Sequence, residues 1–320
     1  MKRRAFLSAA GRSAAGLLGS SRLFAAARPP IARPVRYIER WSWAMGQPVH
    51  LQLFHPSEDA GYEAAQAAFT ELRRIEARLS RFDDASDLNE LNRQAGTGWI
   101  ALDADLHYIL RAATRYRRTT GGAFDVAVEP LMRTWGFREP RKTVPGTREL
   151  AAARAALAAT TMEVEGHRAR LGPTEAALDL GGIGVGYGLD RAAEVLRDHG
   201  VSAALLDVSG DLLAIGAPPG AEGWMVDIVD PRLSGGVLAT ALLRDEALAT
   251  SAMTRDRVLL GGVRRGHVLD PHHGAPVQGR VQATVIAPSG IAADVLSTAL
   301  LAGGQWSPGI RRHWLVPLPA

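Results

Sequence analysis

Residues Asp179 to Asp190 read DLGGIGVGYGLD, five glycines in twelve positions. A glycine inside a helix or strand costs roughly 0.5–1 kcal/mol relative to alanine, so a run like this one marks backbone that must turn sharply or approach a neighbour closely. The triplet Leu178-Asp179-Leu180 before it is expected to end a short strand. Leu189, Ala192, Ala193 and Leu196 after it have helical spacing, and Gly200 supplies a stop. The run thus feeds a helix N-terminus, where free N–H groups and the helix dipole favour a phosphate. The same glycines would equally serve a tight turn that only lets a helix pack closely on a strand. A dinucleotide-binding Rossmann fingerprint is excluded, because every G-x-G pair in the run lacks the third glycine three residues on.

Three further stretches carry groups capable of chemistry. In Ala292-Ala293-Asp294-Val295-Leu296-Ser297-Thr298-Ala299, a helix would place Asp294 and Thr298 four apart on one face. A carboxylate and a hydroxyl so placed are hard oxygen ligands suited to Mg²⁺. Alternatively, Asp294 offsets the helix dipole and Thr298 bonds back to a carbonyl. In Arg265-Gly-His267-Val-Leu-Asp270-Pro271-His272-His273-Gly274, the last two histidines fall in an Asp-Pro-x-x-Gly turn, while His267 precedes an apolar pair and is a candidate general base. In Gly121-Gly122-Ala123-Phe124-Asp125, with Trp135-Gly136-Phe137 downstream, an acid leaves a glycine turn near aromatics. Those aromatics would flank a planar ring or fill the core.

The remaining pattern predicts helices over 59–79, 103–119 with Asp103 as cap, 147–159 and 291–302, and strands near 49–54, 201–208, 224–229, 237–243 and 281–287. Residues 138–146 (REPRKTVPG) read as a polar linker. Hairpin-like strand pairs interspersed with helices indicate an α+β fold rather than a doubly wound sheet.

Composition removes several functions. There is no cysteine, so disulfides, thiolate metal sites and a cysteine nucleophile are out. The net charge of +4 comes from the N-terminus: residues 1–27 hold Lys2, Arg3, Arg4, Arg12 and Arg22 and no acid. The rest is near neutral, with no electrostatic footprint for nucleic acid. Residues 1–27, with Arg3-Arg4, a weakly apolar stretch and Ala25-Ala26-Ala27, have the layout of a twin-arginine export signal. Residues 28–320 are then expected to act as a single periplasmic domain.

Taken in order, these stretches resemble the ApbE family, the FAD:protein FMN transferases. The resemblance runs from about residue 38 to 303. It is carried by Met45-Gly46, Ser80-Arg-Phe82, Ser86-Asp87-Leu88, Leu91-Asn92, Gly122-Ala123-Phe124-Asp125, Pro130-Leu131 and Trp135-Gly136-Phe137. It continues through Asp179 to Asp190, Ser209-Gly210-Asp211, Ala249-Thr250-Ser251-Ala252, His267 to Pro271 and Ala293 to Leu300. Val185, Ser209 and Ala252 depart from the family pattern, which has lysine at the first and glycine at the other two.

The resemblance implies a bilobed α+β fold, ApbE-like and T-fold-like, with FAD between the lobes and Mg²⁺ at the pyrophosphate. It implies cleavage of FAD, attachment of FMN through a phosphoester to a threonine or serine of a target protein, and release of AMP. By the same resemblance Gly182, Asp294 and Thr298 hold the metal, and His267 takes the proton of the incoming hydroxyl. Met45, Phe82, Ala123, Phe124, Asp125, Asp179, Val185 and Leu269 contact FAD. A membrane-bound electron-transfer flavoprotein is the expected acceptor. The alternatives are a protein that binds FAD without turning it over, and a pyrophosphatase that splits FAD into FMN and AMP.

Overall fold

The computed structural model describes residues 35–233, 235–253, 257–305 and 308–317. The expected export signal lies outside them. Val35–Ala320 forms one packing unit, built on a seven-stranded sheet in which every neighbouring pair is antiparallel. In spatial order its strands are Arg36–Ala44, Gln47–His55, Ala203–Val208, Asp211–Ile215, Ala247–Ala252, Arg280–Ala287 and Arg312–Pro317.

Period-two alternation decides what covers each face. In the Ala247 strand, Ala247 and Ala249 join the main core while Leu248 joins a second cluster; in the Arg280 strand, Ala283, Val285 and Ala287 do the former and Ile286 the latter. The main core lies under the helices Glu58–Leu79, Gly184–Asp198 and Gly290–Leu301. The second cluster lies under the hairpin Trp224–Val229/Val237–Leu243, whose Trp224, Val226, Ile228, Ala241 and Leu243 face the sheet. A third, smaller core gathers Leu131, Met132, Trp135, Leu157, Leu260 and Leu269.

The longer helices form where the periodicity places them, while the short helices Asp87–Arg93 and Glu129–Thr134 were not expected. Ser57 caps the Glu58 helix through Ala60 N–H, and Asp103 caps Ala104–Thr119 through Asp105 N–H. Gly121 (φ +62°) and Gly122 (φ +86°) end the latter, with Gly122 N–H on the Arg117 carbonyl at 2.8 Å. The mixed α+β architecture agrees with the sequence. One element does not: Leu178-Asp179-Leu180 is not a strand. Its backbone groups are met by a side chain and a loop instead. Asn92 accepts from Leu178 N–H (2.8 Å) and donates to its carbonyl (3.0 Å), and Asp179 N–H donates to the Val126 carbonyl. Apolarity alone does not separate a strand from a buried loop whose polar groups are satisfied this way.

The glycine run acts through close approach, since none of its glycines has a positive φ. A Cβ on Gly186 would lie 2.3 Å from the Gly290 carbonyl oxygen and 2.8 Å from Asp294 Cβ, and one on Gly188 would lie 3.2 Å from Leu72. The N-termini of the Gly184 and Gly290 helices therefore cross backbone on backbone. Asp190 ties them together by accepting from Gly290 N–H (2.6 Å) and Ile291 N–H (2.9 Å); burial pushes its carboxyl up to about 6. Gly186→Ala is expected to force the two helices apart at a cost of about 1–3 kcal/mol. Thermal unfolding followed by circular dichroism should show a Tm several degrees lower; an unchanged Tm would mean the crossing has slack.

Candidate active site

The Gly290 helix (GIAADVLSTALL) is apolar nearly all round, and such helices are buried. Thr298 is its one residue that is not buried. This half-buried position faces the glycine turn: a Cβ added to Gly182 would meet Thr298 Oγ1 at 3.1 Å and the Phe124 ring at 3.3 Å. One turn earlier Asp294 is buried, and its Oδ2 accepts from Gly186 N–H at 2.9 Å. The carboxylate is thus aimed across the helix crossing rather than at its own helix's N-terminus. Thr298 Oγ1 contacts Ser251 Oγ at 3.0 Å, and it is Ser297 that bonds back, to the Asp294 carbonyl. The turn's bonds run from Ile183 and Gly184 N–H to the Leu180 carbonyl and from Tyr187 N–H to that of Ile183; among the described residues none ends on the Gly182 carbonyl.

Electrostatics single out Asp294. Burial raises its pKa well above the ordinary carboxylate value, the charges of Asp211 and Asp190 push the same way, and the Gly186 N–H opposes them. A buried carboxylate beside two other acids lacks positive compensation, which a hard cation would supply. Asp294, the Thr298 hydroxyl and the Gly182 carbonyl offer hard oxygen atoms, the donor type that suits Mg²⁺.

Around this centre the other expected residues fall into connected groups. Asp179 flanks the glycine turn and accepts from Gly181 N–H at 2.7 Å. Its second oxygen is held by Arg138, whose guanidinium lies 5.5 Å over the Phe82 ring. Phe82 is 86% exposed, free to stack on a planar ligand. Asp125 accepts from Ala127 N–H at 2.9 Å and pairs with Arg117 at 2.7 Å. Met45, at φ +56°, has its N–H fixed by Glu76 and its thioether beside Gly188. Val185 is half-buried against the main core. Ala123, Phe124 and Leu269 are buried, at 4%, 4% and 5% exposure, so whatever they offer a ligand comes chiefly through the backbone. Trp135 is core as well, its Nε1 donating to the Gly274 carbonyl.

His267 sits between the short strands Val263–Gly266 and Leu269–Asp270, half-buried, and its Nδ1 is buried with no hydrogen-bond partner. The preceding Gly266 packs on Met253, two residues beyond Ser251. His272 and His273 do form the expected turn, their N–H groups on Asp270 Oδ1.

Sequence reasoning passed over the ion cluster beneath Asp179. Glu129 is fully buried and accepts from Arg81 (2.8 Å), Arg133 (3.1 Å) and Arg138 (2.7 Å). Burial alone would raise its pKa, but the hydrogen bonds and charges of Arg138 and Arg81 hold it below the ordinary value. Residues 138–146 are indeed irregular, yet Arg138 at their head belongs to the site. A lone acid in the apolar stretch VAVEPLM was the signal available.

A family model described as the ApbE family matches residues 45–308. The chain belongs to the ApbE family. It is 29% identical over 238 residues to the FAD:protein FMN transferase of Vibrio cholerae, covering 73% of this chain and 71% of that one. Against the protein of the same name from Escherichia coli K12 it is 30% identical over 237 residues, covering 72% and 65%. The crystal structure of the ApbE protein from Thermotoga maritima matches with a TM-score of 0.75 at 29% identity, over 83% of this chain and 87% of that one. The flavin transferase ApbE from Vibrio cholerae matches at 0.76 and 24% identity, over 88% and 98%. In this ApbE-family chain two of the three departures have a visible backbone setting. Ser209 has φ +52°, a left-handed position that favours glycine, whereas Ala252 has no positive φ and closes a strand.

Proposed function

We propose that this chain is an exported, Mg²⁺-dependent FAD:protein FMN transferase acting on a threonine or serine of a target protein. The observation that carries the reading is the Thr298 window: a half-buried hydroxyl on an otherwise buried helix, facing Gly182, one turn from a buried carboxylate. Asp294, Thr298 and the Gly182 carbonyl would hold the cation, which when bound would offset charge on the phosphoryl oxygens. The exposed Phe82 ring, backed by Arg138, offers a stacking face for the isoalloxazine between the lobes. Asp179 and Asp125, each fixed by an arginine, offer acceptors at its edge.

His267 takes the proton of the incoming hydroxyl as that oxygen bonds to the FMN phosphorus. The bond from that phosphorus to the bridging oxygen breaks, and AMP leaves with it. The target we infer is a membrane-bound electron-transfer flavoprotein, reached after export through the twin-arginine route. Support for export comes from the composition of residues 1–27.

The test is to incubate the protein with FAD, MgCl₂ and membranes, reading covalent flavin by in-gel fluorescence and AMP by chromatography. Labelled protein with stoichiometric AMP is expected. Bound FAD without AMP would mean a flavin carrier, and AMP without labelled protein a pyrophosphatase. His267→Ala is expected to leave FAD binding intact and to slow transfer about a hundredfold. Weakened FAD binding instead would assign the ring to the ligand pocket.

A further inference from the structure

An open cavity of about 1080 Å³ is not lined by Phe82, Asp179, Asp294 or Thr298. It is an open groove along the Ala104–Thr119 helix, floored by Met162 and Val164 and bounded at one end by Gly121, Gly122 and His272. Arg111, Arg115, Arg117 and Arg118 all line it. Arg117 is committed to Asp125. Among the described residues, Arg111, Arg115 and Arg118 have no carboxylate partner, unlike Arg74, Arg78, Arg81, Arg117 and Arg138. All three are exposed.

Resting on the transferase reading above, we propose that this groove docks an extended, acidic segment of the acceptor protein. Its place fits. The Gly122 end touches His272, and two residues on from Gly122 the Phe124 ring meets Gly182, which faces Thr298. A chain lying in the groove is thereby led toward the phosphate position. Its chemistry fits too. Guanidinium groups pair with carboxylates in bidentate fashion, while Met162 and Val164 offer an apolar floor for intervening side chains. On a helix, positions 111, 115 and 118 lie about 6 Å and about 10 Å apart along the axis. An extended strand rises about 3.3 Å per residue, so alternate residues, which share one face, are about 6.6 Å apart and match the rise from position 111 to 115. At this size and openness the groove suits a polypeptide better than the dinucleotide, whose expected contacts lie elsewhere.

The probe is a fluorescently labelled twelve-residue peptide with glutamate at alternate positions, against the same peptide with glutamine. Anisotropy titrations would use the wild-type protein and the triple variant R111Q/R115Q/R118Q, at about 50 and 300 mM NaCl. The expected result is saturable binding of the glutamate peptide alone, weakened several-fold by salt and at least tenfold by the triple variant. FAD affinity, read by flavin fluorescence, and Tm should stay unchanged. The proposal is overturned by equal binding of both peptides, by undiminished binding to the triple variant, or by no binding at low salt. A tenfold loss of FAD affinity in the triple variant would also overturn it and give the groove to the dinucleotide. None of these outcomes requires transfer activity, so failure of the transferase reading registers separately as absent covalent flavin in the wild type.

Discussion

Asp294→Asn is expected to lower FMN transfer by about a thousandfold while leaving the fold at least as stable as before. Asparagine keeps an oxygen where Oδ2 accepts from Gly186 N–H, so the helix crossing retains that bond. It removes a carboxylate whose charged form is opposed by burial and by Asp211 and Asp190. A group with a raised folded pKa costs stability at any pH where it must ionise, so at neutral pH the amide relieves that cost. The Tm in chelator should therefore hold or rise. With saturating Mg²⁺, wild type should gain stability and the variant gain little, because only a ligand that binds the folded state shifts unfolding. The rate loss follows from a metal contribution of several kcal/mol, where each 1.36 kcal/mol is about tenfold. A variant that transfers FMN normally would place the cation elsewhere; one that unfolds would make Asp294 a structural residue first.

Glu129→Ala is expected to cost about 3–5 kcal/mol, because it strands Arg81, Arg133 and Arg138 around an uncompensated site. For a domain of this size that is a Tm lower by roughly 10 °C. The effect should depend on pH in a definite direction. Glu129 is held below its ordinary value of 4.5 in the folded chain, so its contribution is complete above that value and is lost as pH falls through the lower folded one. The gap in Tm between wild type and variant should be full at pH 7 and narrow below about pH 4. A gap that stays constant with pH would show that lost packing, not charge, is responsible. FAD affinity should fall as well, since Arg138 links Glu129 to Asp179 and lies over Phe82.

Much of the site was legible because its parts are local. Asp294 and Thr298 share a helix, so their common face follows from spacing alone. The cap at Asp103 and the glycine stop at Gly121-Gly122 are short-range chemistry and sit where the residue types placed them. The ordered motifs supplied the family, and the family model agrees from residue 45 to 308. Long-range pairings were not legible. Arg138 stands 41 positions from Asp179, Gly186 stands 108 from Asp294, and Asn92 stands 86 from Leu178. Nothing in a linear pattern says which distant polar group will satisfy a buried one.

By itself the sequence determined the α+β class, the longer helices and the glycine run. Those rest on periodicity and on residue chemistry that neighbours along the chain do not alter. Only the tertiary structure decided that the run's glycines admit a second helix rather than a strand, that Leu178 to Leu180 is a side-chain-held loop, and that Glu129 anchors the arginine on Asp179. It also decided which arginines of the Ala104 helix have carboxylate partners and which do not. Close approach, burial and charge pairing depend on the separation of atoms far apart in sequence, and that separation exists only once the chain has folded.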